Sequence, residues 1–245
     1  VGEGTPDTLA RMATVILVRH GRTSANATGV LAGRSRGVRL DDVGGPQAER
    51  VASRLAGVRL AGIVSSPLER CRQTAGAIAA AQPERPSVTT DRGLLEVDYG
   101  EWTGRPLKDL AKEKAWGTVQ RQPSAARFPG GESLAGMGAR VAAAVRRLDA
   151  DVEAAHGAGA AWVAVSHGDP IKAILADALG LHLDQFQRIV VDPGSVSVVR
   201  YTADRPFVLA TNTHEGDLSW LTPPRRTSRR KRSTDAAVGG GSGPE

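Results

Sequence analysis

The stretch TVILVRHG, residues 14–21, decides how the chain is read. Thr14 to Val18 form a short apolar, β-branched run with no polar alternation. That is the pattern of a strand covered on both faces, as in a mainly parallel sheet between helices. The run ends abruptly in Arg19, His20 and Gly21. In open sheets of this kind, ligands bind beyond the carboxyl ends of the strands. On its own, the Arg-His pair is either a platform for chemistry or an accident of the strand's end.

The rest of the chain repeats the architecture. Residues 61–66 (AGIVSS) and 160–167 (AAWVAVSH) read as further strands, and SVTTD as a short one. Helical patterns alternate with them: PQAERVASRLAG and PLERCRQTAGAIAAA, each with proline near its start, and DPIKAILADALG after the 160–167 strand. SLAGMGARVAAAVRRLDADVEAAH predicts a long helix with one apolar stripe of Leu134, Met137, Val141, Val145, Leu148 and Val152. LLEVDYGEWTGRP predicts a loop with strand-like ends, and PLKDLAKEKAWGTVQ a less regular helical region. SVSVVRYT and PFVLATN, joined by Ala-Asp-Arg, predict a hairpin. The alternation gives an α/β fold, with helices on both faces of a mainly parallel sheet and an antiparallel element at one edge.

The expected organisation is one domain over residues 13–221. Residues 1–12 read as an upstream extension or tag, with Met12 just before the first strand. Residues 222–245, rich in Pro, Arg, Ser and Gly without periodicity, read as a disordered tail. That tail carries +4 of the formal net charge of +6, so the basic character is largely a tail property. It reads as solvated rather than as a binder of nucleic acid or an acidic surface. A single cysteine, Cys71, leaves no intramolecular disulfide and fits a cytoplasmic compartment. No apolar run approaches the roughly 18 residues of a membrane span.

Three strands end in polar groups: Arg19-His20-Gly21, Ser65-Ser66 with Arg70 one turn into the following helix, and Ser166-His167-Gly168. If these strands are parallel neighbours, two histidines and two arginines meet at one sheet edge. Glu96 is a carboxylate that its loop could bring over them, with Asp98 and Glu101 competing nearby. The set suits phosphoryl transfer. Guanidinium forks match phosphate oxygens. A neutral imidazole can carry a phosphoryl group, and a carboxyl can protonate the leaving oxygen. A helix starting at Gly168 could point free N–H groups at the same anion.

The segments VRHGRTSAN, SSPLERCRQTA, LLEVDYGEWTG, PGGESL and VSHGDP, in that order, resemble the histidine phosphatase superfamily in its phosphoglycerate-mutase-like branch. The resemblance spans roughly residues 14–212. It implies a three-layer α/β/α fold and two-step, metal-free and cofactor-free chemistry on a small phosphoester. His20 would be the nucleophile, Arg19, Arg70 and His167 would bind phosphate, and Glu96 would be the acid. Thr23, Asn26 and the backbone of Gly168 match positions that commonly line the pocket, although Thr23 and Asn26 equally suit a structural role, capping or shaping the loop. Residues 104–127 are short where true phosphoglycerate mutases carry a longer insertion, which favours a phosphatase with an open pocket. The chain is also similar to a bacterial subgroup described as phosphomutases. A phosphomutase therefore stands as the alternative, with a non-catalytic phosphate binder as a third.

Arg34, Arg36 and Arg39 could read a second anion or form a solvated loop. Cys71 reads as a packed side chain. His156, His182 and His214 read as a helix end, a connecting turn and a surface residue, and no metal-ligand spacing links them.

Overall fold

A computed structural model describes residues 13–221; the expectations for residues 1–12 and 222–245 concern residues outside that range. Six strands form one sheet: β1 (Thr14–Arg19), β2 (Leu60–Ser65), β3 (Val88–Thr90), β4 (Ala161–Ser166), β5 (Val196–Arg200) and β6 (Phe207–Thr213). Their order is β3-β2-β4-β1-β5-β6. The first four are mutually parallel, while β5 runs antiparallel to β1 and pairs with β6 as the expected hairpin.

The apolar run of β1 has no polar alternation because both faces are covered. Val15 and Leu17 enter a core with the helices α6 (Leu134–His156) and α7 (Gly168–Ala178). Ile16 and Val18 enter a second core with α2 (Gly44–Leu55) and α3 (Glu69–Ala81). Successive side chains of a strand point to opposite faces, so one run serves both cores. The stripe predicted on the long helix packs into the first core, with Leu148 and Val152 at its margin. The layers are therefore helix, sheet, helix.

Two local readings differ from expectation. The polar loop after His20 contains one helical turn, α1 (Ser24–Ala27). Thr23 Oγ1 accepts from Asn26 N–H while the Asn26 carbonyl oxygen of the side chain accepts from Thr23 N–H, a reciprocal capping box. LLEVDYGEWTGRP has no strand at its ends; it runs through 3₁₀ turns at Arg92–Leu94 and Gly100–Trp102. Arginine side chains, rather than a ladder, take its Leu95 and Glu96 carbonyls and that of Gly93 just before it. The irregular helical region resolves into α4 (Leu107–Leu110) and α5 (Trp116–Arg121).

Candidate active site

The registers Arg19↔Ser166 and Ser65↔Val165 put the ends of β1, β4 and β2 at one level. His20, Ser66 and His167 each follow one of these strands and leave the sheet at its carboxyl edge. The chain turns closely after His20 because Gly21 lies against Gly44 at the start of α2. A Cβ on Gly21 would collide with the Gly44 carbonyl, so only glycine allows that approach.

His20 is buried. Its Nδ1 lies 2.7 Å from the Gly21 carbonyl oxygen, which only a protonated Nδ1 can satisfy. Nε2 then carries the lone pair, and it accepts from Arg70 Nε at 3.2 Å. Arg70, on the first turn of α3, also donates through Nη2 to the Gly33 carbonyl (2.8 Å) and to His167 Nδ1 (3.2 Å). The His167 Nε2 proton can go to Ser66 Oγ at 2.8 Å. The two imidazoles meet edge-on, with centroids 5.2 Å apart. Burial, reinforced by the Arg70 charge, holds both histidines well below the usual imidazole range, so both are neutral at pH 7.

Arg19 donates through Nη1 to the Val191 carbonyl at 2.6 Å, and Gly194 N–H donates back to the Arg19 carbonyl. The loop before β5 thus grips the first arginine. Gly168 opens α7 directly beside the Arg19 guanidinium. Arg19 Nε and Arg70 Nη1 are buried without a hydrogen-bond partner among the described residues. Buried donors on charged groups are costly to leave unpaired. Two of them at one strand edge therefore define a place for an anion with several acceptor oxygens.

Of the three competing acids, Glu96 lines the same cavity as Arg19, His20 and Arg70. Asp98 turns to Arg34 and Glu101 is exposed. Burial and the neighbouring Asp169 push the Glu96 carboxyl up to about 7. Its loop is held by a charged clamp. Arg34 Nε donates to the Glu96 carbonyl at 2.8 Å, and Arg140 Nη1 donates to the carbonyls of Gly93 (2.7 Å) and Leu95 (3.0 Å). Glu132 Oε1 joins the two arginines, 2.8 Å from each, and accepts from Asp98 N–H at 2.9 Å. Ser166 Oγ ties the loop to β4 through the Leu94 carbonyl.

The cavity holds about 350 Å³ and includes Thr23, Asn26 and Gly168. Thr23 and Asn26 spend their hydrogen bonds largely on each other, so their part is to shape the wall. His167 is brought to the cluster and is fully buried, with Nδ1 beside Arg70 and 4.0 Å from the Glu96 carboxylate. Arg34 is committed to the Glu96 loop instead of reading a second anion. Cys71, fully buried, has its thiol pushed up to about 12 by burial and is no nucleophile. His156 ends α6, His182 accepts from Asp184 N–H, and His214 lies 3.4 Å from Asp192. Sequence reasoning missed Asp169, which accepts from Tyr99 Oη at 2.8 Å beside Glu96, and the clamp. The visible signals were the acid in SHGDP and the glutamate in PGGES.

The family model described as "Histidine phosphatase superfamily (branch 1)" matches residues 15–214. A Yersinia enterocolitica protein named "Probable phosphoglycerate mutase GpmB" is 36% identical over 192 residues, covering 78% of this chain and 86% of its own. The solved structure of a mycobacterial glucosyl-3-phosphoglycerate phosphatase superposes with a TM-score of 0.72 at 25% identity, covering 83% of this chain and 99% of that one. A phosphoserine phosphatase from Entamoeba histolytica shares the fold at a TM-score of 0.72 and 24% identity, over 82% of this chain and 98% of its own.

Proposed function

We propose that this chain, which belongs to the histidine phosphatase superfamily, is a metal-independent phosphomonoesterase working through a phosphohistidine on His20. The observation that carries the reading is the pair of unpartnered buried donors, Arg19 Nε and Arg70 Nη1, beside a neutral His20 whose Nε2 holds a lone pair. A phosphate ester supplies the missing acceptors and the compensating charge.

In the first step Arg70 Nε–H turns from His20 Nε2 to a phosphate oxygen, the freed Nε2 lone pair attacks phosphorus, the P–O bond to the leaving group breaks, and the leaving oxygen takes the Glu96 proton. The Gly21 carbonyl, accepting from Nδ1–H, stabilises the positive charge that develops on the ring. Arg19 and Arg70 hold the non-bridging oxygens, where charge accumulates in the transition state. In the second step water attacks phosphorus, its proton passes to the Glu96 carboxylate, and the P–N bond breaks with its electron pair returning to Nε2. His167 positions Arg70 through Nδ1.

Hydrolysis of a phosphomonoester panel should proceed with EDTA present and release inorganic phosphate. Loss of turnover on chelation would end the metal-independent reading. The mutase-named relative favours a second reading, transfer from His20 to a substrate hydroxyl. An isomeric ester in place of free phosphate would establish it.

The clamp gives a separate expectation. Glu132→Ala releases Arg34 and Arg140 and loosens the Glu96 loop, so kcat should fall by up to about 10²-fold, the scale of an ångström-sized misplacement of a reacting group. The inhibition constant of inorganic phosphate, set by Arg19 and Arg70, should stay within about threefold. An equal loss in both quantities would mean that Glu132 supports the whole site rather than the acid loop.

A further inference from the structure

Beyond the phosphate end, the cavity changes character. Its outer wall is built by Val30, Trp102, Leu107, Trp116, Val119 and Phe128. Trp102 stacks on Trp116 with centroids 6.2 Å apart, and Phe128 meets Trp102 edge-on at 5.2 Å. The chain has only four Trp, two Tyr and three Phe. Tyr99, Trp102, Trp116 and Phe128 all line this one cavity. Tyr99, Trp102 and Phe128 are buried and also belong to the core beside α6 and α7, whereas Trp116 and Val30 are half-buried and Leu107 is exposed, so these three give the wall its accessible apolar surface. A half-buried Trp116 stacked on buried Trp102 and flanked by Val30 and Leu107 gives the cavity an apolar wall suited to a ligand.

The charges of that wall are already spent. Lys172 is the one lysine lining the cavity among the described residues; its Nζ lies 3.7 Å from Asp169, 3.2 Å from Gln187 Oε1 and 5.5 Å above the Phe186 ring. Nearby arginines are likewise engaged: Arg22 with Asp41, Arg34 with Glu132 and Arg105 with Glu113. A leaving group bearing a carboxylate or second phosphate would lose water and find no unneutralised cation on that wall among the described residues. A flat, uncharged group would find apolar area and ring faces.

We infer that the outer cavity selects phosphomonoesters whose leaving alcohol carries an uncharged ring or similar apolar body, with Trp116 as a specificity-determining residue, and rejects esters with a second anionic group. The inference rests on the phosphomonoesterase reading and names its substrate class.

The test compares kcat/KM for 2-phenylethyl phosphate, glycerol 3-phosphate and 3-phosphoglycerate. All three leave as primary alcohols, which separates recognition from leaving-group reactivity, and p-nitrophenyl phosphate serves as the general substrate. The phenylethyl ester should lead 3-phosphoglycerate by at least about tenfold, a modest figure for apolar pocket discrimination. Trp116→Ala should reduce the phenylethyl-to-glycerol ratio about tenfold. Leu107→Lys, at a position 39% exposed and so tolerant of change, should shift the ratio toward 3-phosphoglycerate. Equal or reversed ranking in the wild type, including rapid isomerisation of 3-phosphoglycerate, overturns the inference and leaves phosphoryl transfer intact. No turnover of any ester, p-nitrophenyl phosphate included, overturns the phosphomonoesterase reading itself. Unchanged ratios in both variants remove the wall from substrate selection.

Discussion

His20→Ala is expected to lower kcat by on the order of 10⁴- to 10⁶-fold, the scale on which loss of the nucleophile disables a covalent catalyst. The substitution removes the neutral Nε2 lone pair, which Arg70 Nε–H holds beside the anion site, while that site keeps Arg19 Nε and Arg70 Nη1. Binding of phosphate should therefore survive the loss of turnover. Rapid quenching of wild type with a labelled ester should trap acid-labile, base-stable label on the protein, as an N–P bond requires, and the variant should trap none. Retained label in His20→Ala would move the nucleophile elsewhere. His167 is neutral, with Nδ1 engaged by Arg70 and 4.0 Å from the Glu96 carboxylate and Nε2 engaged by Ser66, so it has no free lone pair to take over. A second variant, His167→Ala, should lose less, because its partner Arg70 keeps the Gly33 carbonyl as an anchor.

The convergence of Arg19, His20 and Arg70 was legible because they sit at or follow strand ends, whereas Glu96 lies on a loop between 3₁₀ turns, where strand geometry left it competing with Asp98 and Glu101. A run buried on both faces has to be a central strand, and whatever follows it has to emerge at the sheet edge. The same logic applied to β2 and β4 brought Ser66 and His167 to that edge. It did not show that His167 would be fully buried against Arg70, because depth depends on packing between elements and strand position fixes only the level. Thr23 and Asn26 suit a cap, but the turn at Ser24–Ala27 is too short for an apolar period to announce it. The clamp escaped for a different reason. Arg34 and Glu132 are 98 residues apart, and an ion pair of that separation leaves no pattern in either local stretch. The aromatic wall was in view as letters, but only the packing of Trp102, Trp116 and Phe128 around one cavity gave those letters a role.

Glu96→Gln should cost about 10²- to 10⁴-fold on alkyl phosphates, the usual worth of a positioned general acid, and far less in the first step on p-nitrophenyl phosphate. Nitrophenolate leaves without a proton, so His20 can still be phosphorylated by it. Hydrolysis of the N–P bond then lacks its base, because the side-chain amide of the variant accepts no proton from water. The variant should consequently show a burst of nitrophenolate followed by slow turnover, whereas uniform loss in both phases would deny Glu96 its double role. The wild-type pH profile follows from the same carboxyl. Glu96 must be protonated to donate, and burial together with Asp169 pushes its pKa up to about 7. His20, held well below the usual range, remains deprotonated through the acidic side. For alkyl esters, kcat/KM should thus fall as pH rises through about 7. Asp169→Asn removes a negative neighbour, so the Glu96 carboxyl should ionise at lower pH and the falling limb should move toward acid. An unmoved or alkaline-shifted limb in that variant would assign the transition to a different group.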